Sequence, residues 1–460
     1  MFFGSTQIIT ILEKDDLLPA IVFRSSRRQC DLDVSEFDSC PELKLPLNKK
    51  LRLKESVVAI CQKFNLPLDV LKGYCQFKHL LDYGIASHHA GQFSYWRIMI
   101  EKLMADGLLR AIFATSTVAA GVDFPARTVV VTSAKKKGHF GVNFLTPTEF
   151  HQMAGRAGRR GKDKVGFCLF LDERSNNIRI LEKLSRSPVE DLRSSYYPSP
   201  STILPLLRYR DLGAVYEVVD KSFAAYCERF SRFGSSKSRI LLKSRSKSRS
   251  FENVEINTNQ NSEDLKENEN LELRIRLTII LEKLEQLGYV REGTLTRKGE
   301  VGAQLNSGFV IEIVEILESS VTNAINSPLS LIEIFGHFSI DSDRRFVPGR
   351  LTIPKKVSRE IKRIVGNVNS HFNLLRPYET FFDESAASTV ARWATSRSWM
   401  DFNNLLSKHG VAVGDVSRLI LQCADIMTQL EKLKEIMPDV AFFASEAKTL
   451  LLKHPFVETI

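Results

Sequence analysis

The chain has 460 residues, of which 43% are hydrophobic and 26% are charged, and its formal net charge is +10. This composition excludes a disordered chain, predicts about three domains of ~150 residues each, and favours a polyanionic partner. No apolar run reaches the ~18 residues of a membrane helix, and no basic leader opens the chain. The seven cysteines form no C-x-x-C pair, which favours reduced thiols, no metal site and a cytoplasmic protein.

The first third of the chain alternates apolar strands with polar turns. Residues 20–23 form an apolar run that leads into Arg24-Ser25-Ser26-Arg27. A shorter strand precedes His88-His89-Ala90-Gly91, and the Thr-rich residues 114–127 precede the apolar strand 128–131. This alternation is typical of a parallel α/β domain. Taken singly, each turn also fits an ordinary surface loop.

Residues 152–161 read Gln-Met-Ala-Gly-Arg-Ala-Gly-Arg-Arg-Gly and are the most informative stretch. Upstream, Thr146 followed by Glu149 three residues later predicts a capped helix start. We expect Arg156 and Arg159 to lie about a turn apart on one face of this helix. Two guanidinium groups so placed suit a triphosphate.

In this order, these segments resemble the motifs of the second RecA-like domain of superfamily II helicases, specifically DExH-box RNA helicases of the Ski and Dob type. The resemblance implies that Arg156 and Arg159 are catalytic arginine fingers on the γ-phosphate. It implies nucleotide contacts from Gln152, Gly155, Gly121 and Asp123. It implies nucleic-acid backbone contacts from Ser26, Arg27, His89, Thr115 and Thr117.

The sequence contains neither a phosphate loop G-x-x-x-x-G-K-[ST] nor a DExH carboxylate pair; its Gly161-Lys162 is followed by Asp163. Such helicases need both. We therefore expect ATP and Mg²⁺ to be held mainly by a first RecA-like domain, in cis in the intact protein or in trans. We expect Met1 to lie near the linker between the two domains, and the chain alone not to hydrolyse ATP.

Residues 135–145, between two of these motifs, predict a β-hairpin with glycines at its turn. Its lysines and the apolar side chains of Phe140 and Phe144 could form a strand-separating wedge, on which an opened base would stack. An ordinary basic surface loop fits the same pattern equally well.

The second part of the chain opens with residues 192–223, which resemble the start of the winged helix that follows the helicase core in Ski-type proteins. Residues 234–270 are a basic block followed by an acidic one, which predicts a flexible linker. An RNA-binding tail is the alternative for the basic half. An apolar stripe from Leu277 to Leu287 predicts a helix ended by Gly288, and residues 289–296 predict the wing.

The remainder predicts helices at 309–317 and 329–338, others around Trp393 and Trp399, and a long amphipathic helix from Val416 to Leu433. Gly414-Asp415-Val416-Ser417-Arg418 and the acidic-apolar helix near Glu312 resemble the C-terminal helical domain of Ski and Dob helicases. The pattern is least informative over residues 346–388.

The predicted fold class is α/β plus α. Residues 1–185 form a RecA-like parallel-sheet domain, residues 186–305 form a winged-helix domain interrupted at 234–270, and residues 306–460 form an all-helical domain. The predicted function is the C-terminal portion of an ATP-dependent RNA helicase, with RNA preferred over DNA on resemblance alone and with no membrane partner. A non-catalytic nucleic-acid-binding module and a truncated gene product remain alternatives.

Overall fold

The computed structural model describes residues 4–116, 125–138, 141–171, 177–233, 271–338, 344–373, 375–376 and 379–456. The strands of the first domain are β1 (Ala20–Phe23), β2 (Ile85–His88), β3 (Ala111–Ala114), β4 (Thr128–Val131), β5 (Lys135–Gly138), β6 (Gly141–Phe144) and β7 (Phe167–Phe170). A later pair comprises β8 (Val290–Arg291) and β9 (Thr294–Leu295).

The helices up to the predicted linker are α1 (Ser5–Lys14), α2 (Arg27–Ser35), α3 (Leu47–Lys63), α4 (Leu68–Lys72), α5 (Phe77–Tyr83), α6 (Ser94–Ala105), α7 (Pro147–Ala154), α8 (Asn177–Arg186), α9 (Pro200–Tyr209), α10 (Leu212–Asp220) and α11 (Phe223–Phe233). Those beyond it are α12 (Leu271–Gln286), α13 (Arg297–Gln304), α14 (Val310–Leu317), α15 (Pro328–Phe335), α16 (Lys355–Phe372), α17 (Glu384–Thr395), α18 (Trp399–Lys408), α19 (Val413–Glu431) and α20 (Pro438–Leu451). Short 3-10 turns lie at Glu36–Ser39, Pro41–Leu43 and Ser320–Ala324.

The first domain is built on a five-stranded parallel sheet with strand order β2-β3-β1-β4-β7. The central strand β1 is buried on both faces: Ile21 and Phe23 join one apolar core, and Ala20 and Val22 join the other. A parallel sheet is covered by helices on both sides, which explains its continuously apolar strands. The predicted α/β class is confirmed.

The predicted hairpins are both present. Strands β5 and β6 pair antiparallel, with Lys135 opposite Phe144. Strands β8 and β9 are joined by Glu292 and Gly293, whose φ angles of 50° and 77° are left-handed, as a two-residue hairpin turn requires. The hairpin at β8–β9 has the form expected of a wing.

The C-terminal part is helical, as the apolar periodicity predicts. Helix α19 packs against α20 and α17 through buried side chains that include Val416, Ile420 and Met427. Leu433 is fully buried but lies beyond the end of the helix at Glu431. The 18-residue helix α16 occupies the region whose pattern was least informative.

One apolar cluster runs from the sheet of the first domain through the C-terminal helices. The predicted boundaries at residues 185 and 305 therefore do not coincide with breaks in the core, and they remain predictions. No described helix is both long and apolar enough to cross a membrane.

Candidate nucleotide and nucleic-acid site

Helix α7 begins as its sequence predicts. The Thr146 side chain accepts a hydrogen bond from the Glu149 backbone N–H at 3.3 Å, and the Glu149 carboxylate accepts one from the Thr146 N–H at 3.1 Å. Lys136 of the β5–β6 hairpin forms an ion pair with the same carboxylate. The capping box therefore also fixes the base of the hairpin.

The end of α7 differs from the prediction. The helix stops at Ala154, so Arg156 and Arg159 lie in the turn and loop that follow. The prediction that both arginines lie on one face of this helix is therefore wrong. The cause is a long-range contact with the start of β4. The Ala126 N–H donates to the Arg156 carbonyl at 3.0 Å, and the Gly158 N–H donates to the Ala126 carbonyl at 2.7 Å.

Two glycines permit this departure from the helix. Gly158 has a φ of +88°, a conformation that L side chains rarely adopt. A Cβ on Gly166 would lie 2.5 Å from the backbone of Ala157. The close approach of these two backbone segments therefore places the arginines beside the sheet rather than on a helix.

Arg159 is held in place by Asp163. Its Nε lies 2.8 Å from Oδ2 and its Nη2 lies 2.9 Å from Oδ1 of that carboxylate. This hydrogen bonding lowers the pKa of Asp163 to about 2 and raises the pKa of Arg159. Of the other predicted nucleotide contacts, Gln152 and Gly155 are exposed next to Arg156, which is half-buried.

Several predicted site residues lie outside the described residues. They are Thr117, Gly121 and Asp123 of the Thr-rich motif and Phe140 of the hairpin turn. Residues 234–270, the predicted linker, also lie outside. The predictions for them stand as made.

The histidine motif at the end of β2 points inward. His88 and His89 are 3% and 4% exposed, and their Nε2 atoms lie 2.8 Å from Glu101 and 3.0 Å from Asp31. Burial lowers the pKa of His88. The ring of His89 therefore anchors the loop. Any contact of this motif with a ligand would be made by other atoms of the loop and not by the histidine rings.

Asp31 on α2 is the centre of that anchor. Its Oδ1 accepts hydrogen bonds from Gln76 at 2.8 Å and Ser87 at 2.7 Å, besides that from His89. Burial alone would raise the pKa of Asp31, but these donors bring it below its ordinary value. The network ties the end of β2 to α2.

Ser26 ends the turn after β1, and Arg27 is the first residue of α2. The Ser26 hydroxyl caps α2 by accepting from the Gln29 N–H at 3.2 Å. Arg27 Nη1 lies 3.1 and 2.9 Å from the two carboxylate oxygens of Asp415, at the start of α19. The half-buried Thr115 lies beside the same loop, with its N–H 3.3 Å from the His88 carbonyl.

The loop 89–93 contacts the C-terminal helices directly. The Gly414 N–H donates to the Gly91 carbonyl at 3.0 Å, and a Cβ on Gly414 would lie 2.3 Å from the Gln92 carbonyl oxygen. The rings of Phe93 and Trp399 stack with centroids 5.1 Å apart. These contacts set the start of α19 against the histidine motif.

A cavity of about 540 Å³ lies at this junction. Its wall includes Ala90, Gln92, Arg97, Asn306, Arg418 and Gln422. Burial lowers the pKa of Arg418, and the charges of Arg344, Arg27 and Arg97 lower it further. The wall also includes Asp425, so two arginines against one carboxylate leave a net positive charge, which suits a phosphate backbone.

Sequence reasoning assigned no role to Arg97, Asp415 or Arg418. The segment 414–418 was recognised as a family-like motif, but the partner of Asp415 lies 388 positions away. No local pattern identifies such a contact. Arg97 and Arg418 are far apart in the sequence, and only the fold brings them together at the cavity.

Two protein-family descriptions match the chain, the helicase conserved C-terminal domain over residues 35–161 and the DSHCT (NUC185) domain over residues 292–457. Relatives include the probable helicase HelY of Mycobacterium tuberculosis, 34% identical over 48% of this chain and 25% of its own length. The exosome RNA helicase MTR4 of Homo sapiens is 30% identical over 47% of this chain and 20% of its own. The antiviral helicase SKI2 of Saccharomyces cerevisiae is 33% identical over 47% of this chain and 17% of its own length.

The chain thus covers a quarter or less of the length of each of these relatives. The two matched domains occur in the order that the motifs predict, and the second begins inside the predicted wing. The resemblance seen in the motifs is confirmed for these two domains: the chain contains a helicase conserved C-terminal domain and a DSHCT domain, and over about half of its length it is similar to the SKI2 and MTR4 helicases.

Proposed function

We propose that this chain is the C-terminal portion of an ATP-dependent RNA helicase, in which it grips single-stranded RNA and supplies arginines to ATP bound by another domain. The observation that carries the proposal is the cationic cavity where the His-His-Ala-Gly loop meets α19. Both walls come from segments with helicase-family motifs. RNA rather than DNA is proposed because relatives are named RNA helicases.

Arg156 and Arg159 would contact the γ-phosphate, and the further nucleotide contacts proposed are those of Gln152, Gly155, Gly121 and Asp123. Asp163 already orients Arg159, so its guanidinium needs little ordering when ATP arrives. Such arginine fingers contribute about 10³ to 10⁵ in rate to phosphoryl transfer.

The residues present fit only part of a nucleotide site. Arginine and glutamine side chains suit phosphate oxygens, but among the described residues no group of three or more His, Cys, Asp or Glu could hold a metal ion. The Asp163 carboxylate is engaged by Arg159. ATP and Mg²⁺ would therefore be held mainly by a first RecA-like domain.

RNA would run past Ser26, Arg27 and Thr115 and into the cavity, and Thr117 remains a proposed contact. His89 would act by holding the loop, because its ring is buried against Asp31. Contacts of this kind are made to phosphates and carry no base specificity. The same site would serve a non-catalytic binding module, which would bind RNA but show no ATP turnover when a first RecA-like domain is added.

RNA binding can be measured with the chain alone by fluorescence anisotropy. We expect similar affinities for homopolymer and random single strands, with log K falling by about 0.7 per log salt for each phosphate contacted. Arg97→Gln and Arg418→Gln should each weaken binding and flatten the slope. Lys54→Gln, the same charge change on the exposed face of α3, is the control. Salt-independent binding, or equal effects of all three variants, would contradict an RNA site at the cavity.

A further inference from the structure

One ion pair crosses from the sheet domain to the C-terminal helices beside the cavity. Arg27 Nη1 bonds to both carboxylate oxygens of Asp415, at 3.1 and 2.9 Å. Arg344 Nε approaches the same carboxylate at 3.7 Å. The Asp415 side chain is 9% exposed and that of Arg27 is 42% exposed. The carboxylate is therefore enclosed by arginines, while part of Arg27 stays accessible.

The carboxylate lies where positive charge is crowded. Arg97 and Arg418 line the cavity, and Arg27, Arg97 and Arg344 are close enough to Arg418 to disfavour its charge. A carboxylate and a phosphate both present paired oxygens to a guanidinium group. An incoming phosphate can therefore make the contact to Arg27 that Asp415 makes here.

We propose that Asp415 occupies the place of an RNA phosphate on Arg27, and that the entering strand displaces it. The inference rests on the proposed RNA function. Two anions on one guanidinium repel each other, so RNA bound at Arg27 weakens the ion pair. The pair is then an internal competitor that holds α19 to the sheet domain until RNA enters.

Removing the competing charge tests the proposal. Asp415→Asn should bind single-stranded RNA at least 5-fold more tightly than the wild-type chain at moderate salt. The slope of log K against log salt should stay within about 0.7 of the wild-type slope, because the strand contacts Arg27 in both chains. A carboxylate that serves only to stabilise the start of α19 would give a lower melting temperature and no gain in affinity.

Two further variants separate the ion pair from a change in net charge. Asp439→Asn removes an exposed carboxylate that does not line the cavity, and it should tighten binding less than 2-fold. The double variant Arg27→Gln with Asp415→Asn should bind no more tightly than the wild-type chain. Equal tightening by Asp439→Asn, or a gain that survives loss of Arg27, would overturn the proposal.

The wild-type chain offers a second measurement that needs no variant. The Gly414 N–H bonds to the Gly91 carbonyl across the junction, so displacement of Asp415 should speed hydrogen exchange of residues 412–416 when single-stranded RNA is added. Unchanged or slower exchange would overturn the proposal. If the wild-type chain binds no RNA at all, the proposed function fails and this inference fails with it. If it binds and Asp415→Asn is no tighter, only the inference fails.

Discussion

Arg159 and Asp163 form a two-point ion pair inside the loop that follows α7, with nitrogen–oxygen distances of 2.8 and 2.9 Å. The Arg159 N–H also donates to the same carboxylate at 2.9 Å. The pair lowers the pKa of Asp163 to about 2. Its stabilising contribution is complete above about pH 4, the ordinary Asp pKa, and is lost as the pH falls toward 2.

Asp163→Asn should weaken the positioning of Arg159 without removing the arginine. In an enzyme reconstituted with a first RecA-like domain, we expect kcat for ATP to fall about 10-fold, equivalent to ~1.4 kcal/mol of transition-state stabilisation, with KM little changed. Steady-state ATPase kinetics measure both parameters. Asp191→Asn, at an exposed position, is the control. A wild-type kcat in Asp163→Asn would show that the ion pair does not orient the arginine.

Gly414→Ala should destabilise the domain junction. The new Cβ would lie 2.3 Å from the Gln92 carbonyl oxygen, and forced displacement of packed backbone costs about 1–3 kcal/mol. Gly366→Ala in α16 meets no atom within 4 Å and should stabilise by roughly 0.5–1 kcal/mol. Urea unfolding of both variants gives the comparison. A neutral Gly414→Ala would mean that the junction is looser than described.

His337 should make stability depend on pH. Its ring is fully buried between Phe338 and Phe382, and no described residue pairs with either ring nitrogen in a hydrogen bond of normal geometry. Burial lowers its pKa to about 3, against about 6.5 when unfolded. Its contribution is therefore complete above pH 6.5 and is lost progressively as the pH falls toward 3.

Between pH 7.5 and pH 5.5, this histidine alone should lower the free energy of unfolding by about 1 kcal/mol. His337→Phe should remove that part of the pH dependence, and His409→Phe, at an exposed position, should leave it intact. Chemical unfolding at the two pH values measures the difference. An unchanged pH dependence in His337→Phe would disprove the assignment.

Local signals predicted the local structure well. The Thr146 capping box, the strand 128–131, both hairpins and the apolar stripe of α19 follow from residue types within a few positions of each other. The end of α7 could not be predicted from nearby residues, because it depends on the contact of Ala157 with Gly166 and on the bridge to Ala126. The cavity did not follow either, because its walls come from distant parts of the chain.

The β5–β6 hairpin gives a prediction about unwinding. Phe144 is 53% exposed with the Lys135 ammonium 5.1 Å from its ring centre, so a base could stack on it. In a reconstituted enzyme, Phe144→Ala should slow duplex unwinding several-fold and spare RNA-stimulated ATPase. Tyr209→Ala, another exposed aromatic residue, should affect neither. Parallel loss of both activities in Phe144→Ala would contradict a wedge.

The most direct test of the proposed function is ATP turnover by the chain with and without a first RecA-like domain of a Ski-type helicase. We expect background hydrolysis by the chain alone, RNA-stimulated hydrolysis when the domain is added in trans, and a fall of about 10³-fold or more in Arg156→Ala or Arg159→Ala. Hydrolysis by the chain alone that Arg156→Ala abolishes would contradict the proposed function. So would a mixture in which the two parts associate on RNA but turnover is insensitive to both arginines.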